Sequence, residues 1–146
     1  MKTYSQKPVD VQRKWYLLDA SEASLGRLST KASSLLLGKG KATVTPHTDG
    51  GDFVVIINAD KVKLTGGKEL KKKYFRHSGF PGGIYKRSFS QQQEKSPESI
   101  IQKSVRGMLP DNKLRPARLA RLKIYAGEEH NHTAQRPEKL SIKGDS

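Results

Sequence analysis

The sequence predicts an α/β domain in which helices cover a mostly parallel sheet. Two observations carry that prediction. A short aromatic and aliphatic run, Trp15-Tyr16-Leu17-Leu18-Asp19, is followed by a helical stripe and then by Phe53-Val54-Val55-Ile56-Ile57-Asn58, the most β-branched segment of the chain. Strand, helix, strand is a crossover unit, and a crossover joins parallel neighbours. The length of 146 residues suits one domain and leaves little room for a second. The expected organisation is a polar N-terminal arm over residues 1–14, a single domain over 15–140 and a polar tail over 141–146.

Taken in order, the first strand covers WYLLD, a run bounded by polar positions. Apolar residues then recur at Leu25, Leu28, Ala32, Leu35 and Leu36, with Ser24 placed as N-cap and Gly38 as the stop. After the turn-rich TPHTDGGD comes the second strand. Val62–Thr65 reads as a third, ended by Gly66 and Gly67, and Lys73–His77 as a fourth. Ser88–Lys95 is polar and ambiguous. Ser96 and Pro97 form a cap and first-turn pair for a helix with Ile100, Ile101, Val105 and Met108 on one side. Pro110 ends it, a further helical segment is expected from about Pro116 to Leu122, and KIYA is a last strand. The coarse order is β, α, β, β, β, α, α, β.

Charge narrows the function. Lys and Arg number 28 against 14 Asp and Glu, a net charge of +14. Lys68–Arg87 and Lys103–Lys123 each hold seven cations and one acid, so these two windows carry nearly all of the excess. Clustered cations are the footprint of a polyanion binder, because neutralised phosphates release condensed counterions; the bland alternative is a solvated surface. No amphipathic anchor or lipidation signal marks a membrane partner. The start MKTYSQKPVD has no apolar core of a secretory leader. With no cysteine, disulfides and thiolate metal sites are excluded. The expected setting is the cytosol or an equivalent compartment rich in nucleic acid.

Within the first window, KKKYFRHSGFPGG combines Lys71, Lys72, Lys73 and Arg76 for phosphates, Tyr74, Phe75 and Phe80 as flat apolar faces, and Gly79, Gly82 and Gly83 where a backbone can approach closely. The bland alternative is a strand with its aromatics in the core. Because Tyr74 and Phe75 alternate along a strand, one of them is expected to pack inward and the other outward. In the second window, Arg115, Arg118 and Arg121 stand three apart, which on a helix gathers three guanidiniums along one side.

Catalytic patterns are weak. His47, His77, His130 and His132 lie in polar segments or at a strand end. The His-x-His pair could bind zinc, but no nearby Glu or Asp completes a recognisable spacing and cysteine is absent, so no metal site is expected. Because nothing in the sequence sets the mutual placement of the histidines, general acid–base cleavage of RNA is a minor alternative. Asp49 and Asp52 could hold a magnesium ion, but such acids more often initiate turns around glycines. GKGKAT lacks the glycines of a dinucleotide loop, and Gly67-Lys68 is followed by Glu69 where a phosphate-binding loop has Ser or Thr. A second alternative is a DNA regulator using residues 97–122 as a helix-turn-helix.

Taken together, WYLLDA with LGRL, TPHTDGGDFVVIINADKVKLTG, KKYFRHSGFPGG, GMLPDNKL and LKIYAGEEHNHTAQRPE resemble the bacterial-type ribosomal protein L13 (uL13) family over roughly residues 15–139. The chain departs from that pattern at Leu114-Arg115-Pro116, where the family commonly has Gly-Arg, and at Ser29, where Ala is frequent. The resemblance implies a three-layer α/β/α fold around a mainly parallel sheet of about four strands. It also implies a structural, non-enzymatic role in the large (50S) subunit, bound to 23S-type rRNA beside neighbouring ribosomal proteins and entering early in assembly. The implied location is cytoplasmic, and an organellar ribosome fits the same residues. No cofactor, membrane or small-molecule substrate is expected.

The residues expected to contact rRNA are Lys39, Lys41 and His47, then Lys71, Lys72, Lys73, Arg76, His77, Gly79, Gly82, Gly83, Lys86 and Arg87. Arg106, Lys113, Arg115, Arg118 and Arg121 follow from the second window, and His130, His132, Gln135 and Arg136 from the tail. Alanine at Arg115, Arg118 and Arg121 together is expected to weaken rRNA binding without unfolding the domain.

Overall fold

The structure is a computed structural model that describes residues 2–142. The strands β1 (Trp15–Asp19) and β2 (Phe53–Ile57) pair in parallel, joined by helix α1 (Leu25–Leu37). Gly38 ends α1 in the left-handed region at φ 79° while its N–H reaches the Ser34 and Leu35 carbonyls, the glycine stop expected from the sequence. Ser24 does occupy the N-cap position, but its side chain makes no capping bond. The Leu25 N–H instead donates to the Lys63 carbonyl (2.9 Å).

The sheet has the order β5-β2-β1-β6, with β5 at Leu122–Ile124 and β6 at Glu138–Lys139, and all of its pairings are parallel. Alternate residues face opposite ways. Leu18, Val54 and Ile56 join one buried cluster with Leu28, Ala32 and Leu36 of α1 and with Ile100, Ile101 and Val105 of a later helix. Each of the Leu, Val and Ile side chains among these contributes on the order of 1.5–3 kcal/mol by leaving water. On the opposite face Trp15 and Phe53 sit in register with rings stacked at 4.3 Å. The segment after β5, irregular apart from a 3-10 turn at Thr133–Gln135, lays the His132 ring 5.0 Å from Trp15.

Between β2 and β5 the chain builds a second unit. The short helix α2 (Lys68–Lys71) leads into an antiparallel hairpin of β3 (Lys73–His77) and β4 (Ile84–Ser88). Helices α3 (Phe89–Lys95), α4 (Pro97–Met108) and α5 (Arg115–Ala120) follow. Ser88 and Gln91 form a reciprocal capping box at the start of α3. Pro97 and Pro116 both sit in the first turn of their helices, where a missing N–H costs nothing.

Several expectations are corrected. Val62–Thr65 is not a strand, since its pairing shrinks to an isolated bridge between Ser24 and Lys63. The ambiguous stretch Ser88–Lys95 is the last residue of strand β4 followed by helix α3, and β4 itself, Ile84–Ser88, is a strand not expected from the sequence. The stretch after KIYA, which reads as polar loop, contains β6 at Glu138–Lys139, and Ile142 of the expected polar tail is buried in the core. Residues 143–146 of the expected polar tail, like Met1, lie outside the described residues. The N-terminal arm is fixed to the body: Gln6 is 5% exposed, its N–H donates to the Thr45 hydroxyl, and Thr48 donates to its carbonyl.

Candidate nucleic-acid interface

The first basic window is presented outward by the hairpin. Cross-strand partners share a face, so Phe75 opposite Lys86 and His77 opposite Ile84 lie on one side, and Arg76 opposite Tyr85 on the other. Tyr74, opposite Arg87, is the ring that packs inward at 9% exposure, while Phe75 stays 61% exposed, dividing the two as strand alternation requires. Burial raises the Tyr74 pKa above its ordinary value. Phe80, Ile84 and Tyr85 are exposed too. No acid lies between Lys71 and Ser88, and the cations rest on rings instead. Arg76 lies 5.5 Å from the Tyr85 centroid and Lys86 5.9 Å from that of Phe75. Lys72 and Lys103 flank Tyr74 at 5.5 and 5.2 Å, which brings α4, and with it the start of the second window, against the hairpin base.

The hairpin loop is closed by its own bonds. The Ser78 N–H donates to the Gly83 carbonyl (2.9 Å), the Gly83 N–H to the Phe80 carbonyl (3.0 Å), and the Gly79 N–H to Nδ1 of His77 (2.9 Å). Gly79 (φ 90°) and Gly82 (φ 71°) hold left-handed backbone, and a side chain at Gly83 would strike Ser78. The loop glycines therefore shape the turn that displays Phe80.

The second window behaves differently. Arg118 and Arg121 are 3% and 7% exposed. Arg121 donates from Nη1 to the Asp52 carbonyl (2.8 Å) and from Nη2 to the Leu36 carbonyl (3.1 Å), and it pairs with the Asp49 carboxylate. Burial pulls its pKa below the ordinary value, Asp49 opposes that, and Arg13 and Arg118 reinforce it. Arg118 Nε lies 3.7 Å from the same carboxylate. The three guanidiniums expected along one side thus part: Arg121 turns inward to supply donors to the Asp52 and Leu36 carbonyls and Asp49, Arg118 is buried beside it, and only Arg115 stays near the surface, paired with Asp111 at 2.8 Å. Asp49 and Asp52 are spent in this clamp. Lys41 belongs to it as well, donating to the Gln12 and Gly50 carbonyls and pairing with Asp52 at 2.8 Å. Arg13, which sequence reasoning passed over, donates to the Gly51 and Asp49 carbonyls at 2.6 and 2.8 Å.

The protein-family description "Ribosomal protein L13" matches residues 13–131. The large ribosomal subunit protein uL13 of Halorhodospira halophila is 54% identical over 142 residues, covering 97% of this chain and all of that protein. Those of Laribacter hongkongensis and Beutenbergia cavernae are 51% and 50% identical, each over 97% of this chain, covering 100% and 97% of their own lengths. The chain belongs to the L13 family of ribosomal proteins. These relatives are ribosomal proteins and not enzymes. The matched span contains the hairpin, the clamp and both basic windows, and stops before Gln135 and Arg136.

The remaining expected contacts of this L13-family chain are scattered. Lys39, Arg106, Lys113, Gln135 and Arg136 are exposed. Arg136 holds the left-handed backbone at φ 50°. The histidines do not meet as one constellation. His47 Nε2 is 3.2 Å from the Ser5 hydroxyl, and His77 serves the hairpin loop. His132 Nε2 is 2.8 Å from the Tyr125 hydroxyl, with His130 stacked alongside. Burial, then the charges of Lys123 and His130, lowers the His132 pKa. Among the described residues no group of three or more His, Cys, Asp and Glu could hold a metal ion, and no helix is long and apolar enough to cross a membrane.

Proposed function

We propose that this chain is a structural constituent of the large ribosomal subunit that binds large-subunit rRNA, lies against neighbouring ribosomal proteins and helps early subunit assembly. It does so by neutralising phosphates and matching the shape of folded RNA. The observation that carries the proposal is the outer half of the β3–β4 hairpin: an acid-free ribbon on which Phe75, Tyr85 and Phe80 stay exposed beside cations, while only its base, at Tyr74, packs into the core. Exposed aromatics beside lysine and arginine fit a partner with both phosphates and flat bases. Lys71, Lys72, Lys73, Arg76, Lys86 and Arg87 supply the phosphate contacts there, with Lys103, Arg106 and Lys113 extending them along α4 and the loop after it. Arg118, Arg121 and Lys41 act one step back, by fixing the frame on which those cations stand.

The test is cosedimentation. The tagged full-length chain is expected to travel with large subunits through a high-salt wash, and recovery only from the free pool would refute the role.

A further inference from the structure

The register of the hairpin says more than that it binds RNA. Phe75 and Lys86 are cross-strand partners on one face, and Arg76 and Tyr85 are partners on the other. Each pair sets a cation over a ring, at 5.9 and 5.5 Å. The two faces of the ribbon therefore carry the same chemical unit, one aromatic and one cation. Toward the loop neither face is covered by the domain: Phe75 is 61% and Tyr85 55% exposed, with Ile84 and the loop ring Phe80 open as well. Only at the base, where Tyr74 meets Lys103, does one face pack against the body. A ribbon laid along one duplex needs a single binding face, and its other face would ordinarily be polar. An aromatic on each side, both in water, loses free energy unless both sides are covered on binding.

We propose that the outer half of the β3–β4 hairpin inserts between two segments of RNA, stacking unpaired bases on Phe75 from one side and on Tyr85 from the other, so that it staples the two segments together. The ring face turned from its cation takes the base, while Lys86 and Arg76 each neutralise phosphates of the segment on their own side. Stapling two segments is also what a protein entering an unfinished particle would contribute. The inference rests on the rRNA-binding role proposed above and goes beyond it in assigning the two faces to different RNA segments.

The absence of cysteine allows a clean test with the full-length chain and refolded full-length large-subunit rRNA. Ile84→Cys and Arg76→Cys place one thiol on each face, and a short photo-cross-linker is attached to each in turn. Cross-links from Ile84→Cys and from Arg76→Cys are expected in two segments well separated in the rRNA sequence. In addition, Phe75→Ala with Lys86→Gln should remove protection of the first segment only, and Tyr85→Ala with Arg76→Gln that of the second, each weakening binding about tenfold. Cross-links to one common segment from both faces would overturn the stapling while leaving rRNA binding by the hairpin intact. Retained rRNA binding with no cross-link from either position would overturn it and assign the hairpin to another partner. Failure of the unmodified chain to bind rRNA would overturn both this inference and the role it rests on.

Discussion

The windows Lys68–Arg87 and Lys103–Lys123 are equal in sequence, seven cations and one acid each, yet they part company in the fold. The first is spread over a hairpin whose local sequence has no carboxylate, so its cations stay in water or over rings, apart from Arg87, which donates to Gln92 at the base. The second meets Asp49 and a set of unpaired carbonyls delivered by distant parts of the chain, and two of its arginines are drawn inside. Charge density alone does not tell a ligand-facing cation from a structural one. What decides is whether the fold brings acceptors to it, as it does for Arg121, whose Nη donors meet two carbonyls and a carboxylate.

The sharpest way to break this contrast is Arg121→Ala. It strips donors from the Asp52 and Leu36 carbonyls and leaves the Asp49 carboxylate short of a partner in a largely buried site. A loss of about 3 kcal/mol or more in stability by urea unfolding is expected. An unchanged midpoint would put Arg121 back among the surface cations. The triple alanine variant at Arg115, Arg118 and Arg121 should accordingly lose folded circular dichroism signal, the opposite of what their spacing alone predicts. Arg76→Gln with Lys86→Gln should do the reverse, leaving the unfolding midpoint in place while reducing rRNA affinity and lowering the salt slope by about 1 for each phosphate no longer neutralised. Filter binding at several salt concentrations reads both quantities.

A smaller effect belongs to the outer sheet face. Because the folded protein holds the His132 pKa below its ordinary 6.5, chiefly by burial, its contribution is complete above that value and is lost as pH falls below it. Stability measured from pH 7 to pH 5 should therefore fall less steeply in His132→Gln than in the parent chain. The smallest change is expected from Arg115→Ala, whose Asp111 partner is 86% exposed. A shift under about 0.5 kcal/mol is the outcome that separates it from its two buried neighbours.

Much of the frame was readable because its signals are local. The β-branched run at Phe53–Ile57, the α1 stripe and the Gly38 stop each depend on a few adjacent residues. The hairpin was half visible: Lys73–His77 reads as a strand, but Ile84–Ser88 hides behind its charges, although the glycine-rich turn before it announces a returning partner. Helix α3 also left a signature, Ser88 with Gln91 as a capping box, that its polar composition masked. The two residues of β6 have no pattern of their own and are a strand only because β1 has an open edge beside them. The clamp was the least legible. Arg121 and Asp49 are 72 positions apart, and no local rule pairs them. The three-residue spacing of Arg115, Arg118 and Arg121 looked like a binding stripe because helical geometry shows which residues share a side, not which side meets water.

The most direct test of the central claim is the salt dependence of binding to large-subunit rRNA by the full-length chain. If about six to ten phosphates are engaged, affinity should drop by roughly 10³ to 10⁵ between 50 and 200 mM salt. A nearly flat dependence would contradict phosphate neutralisation as the basis of its role.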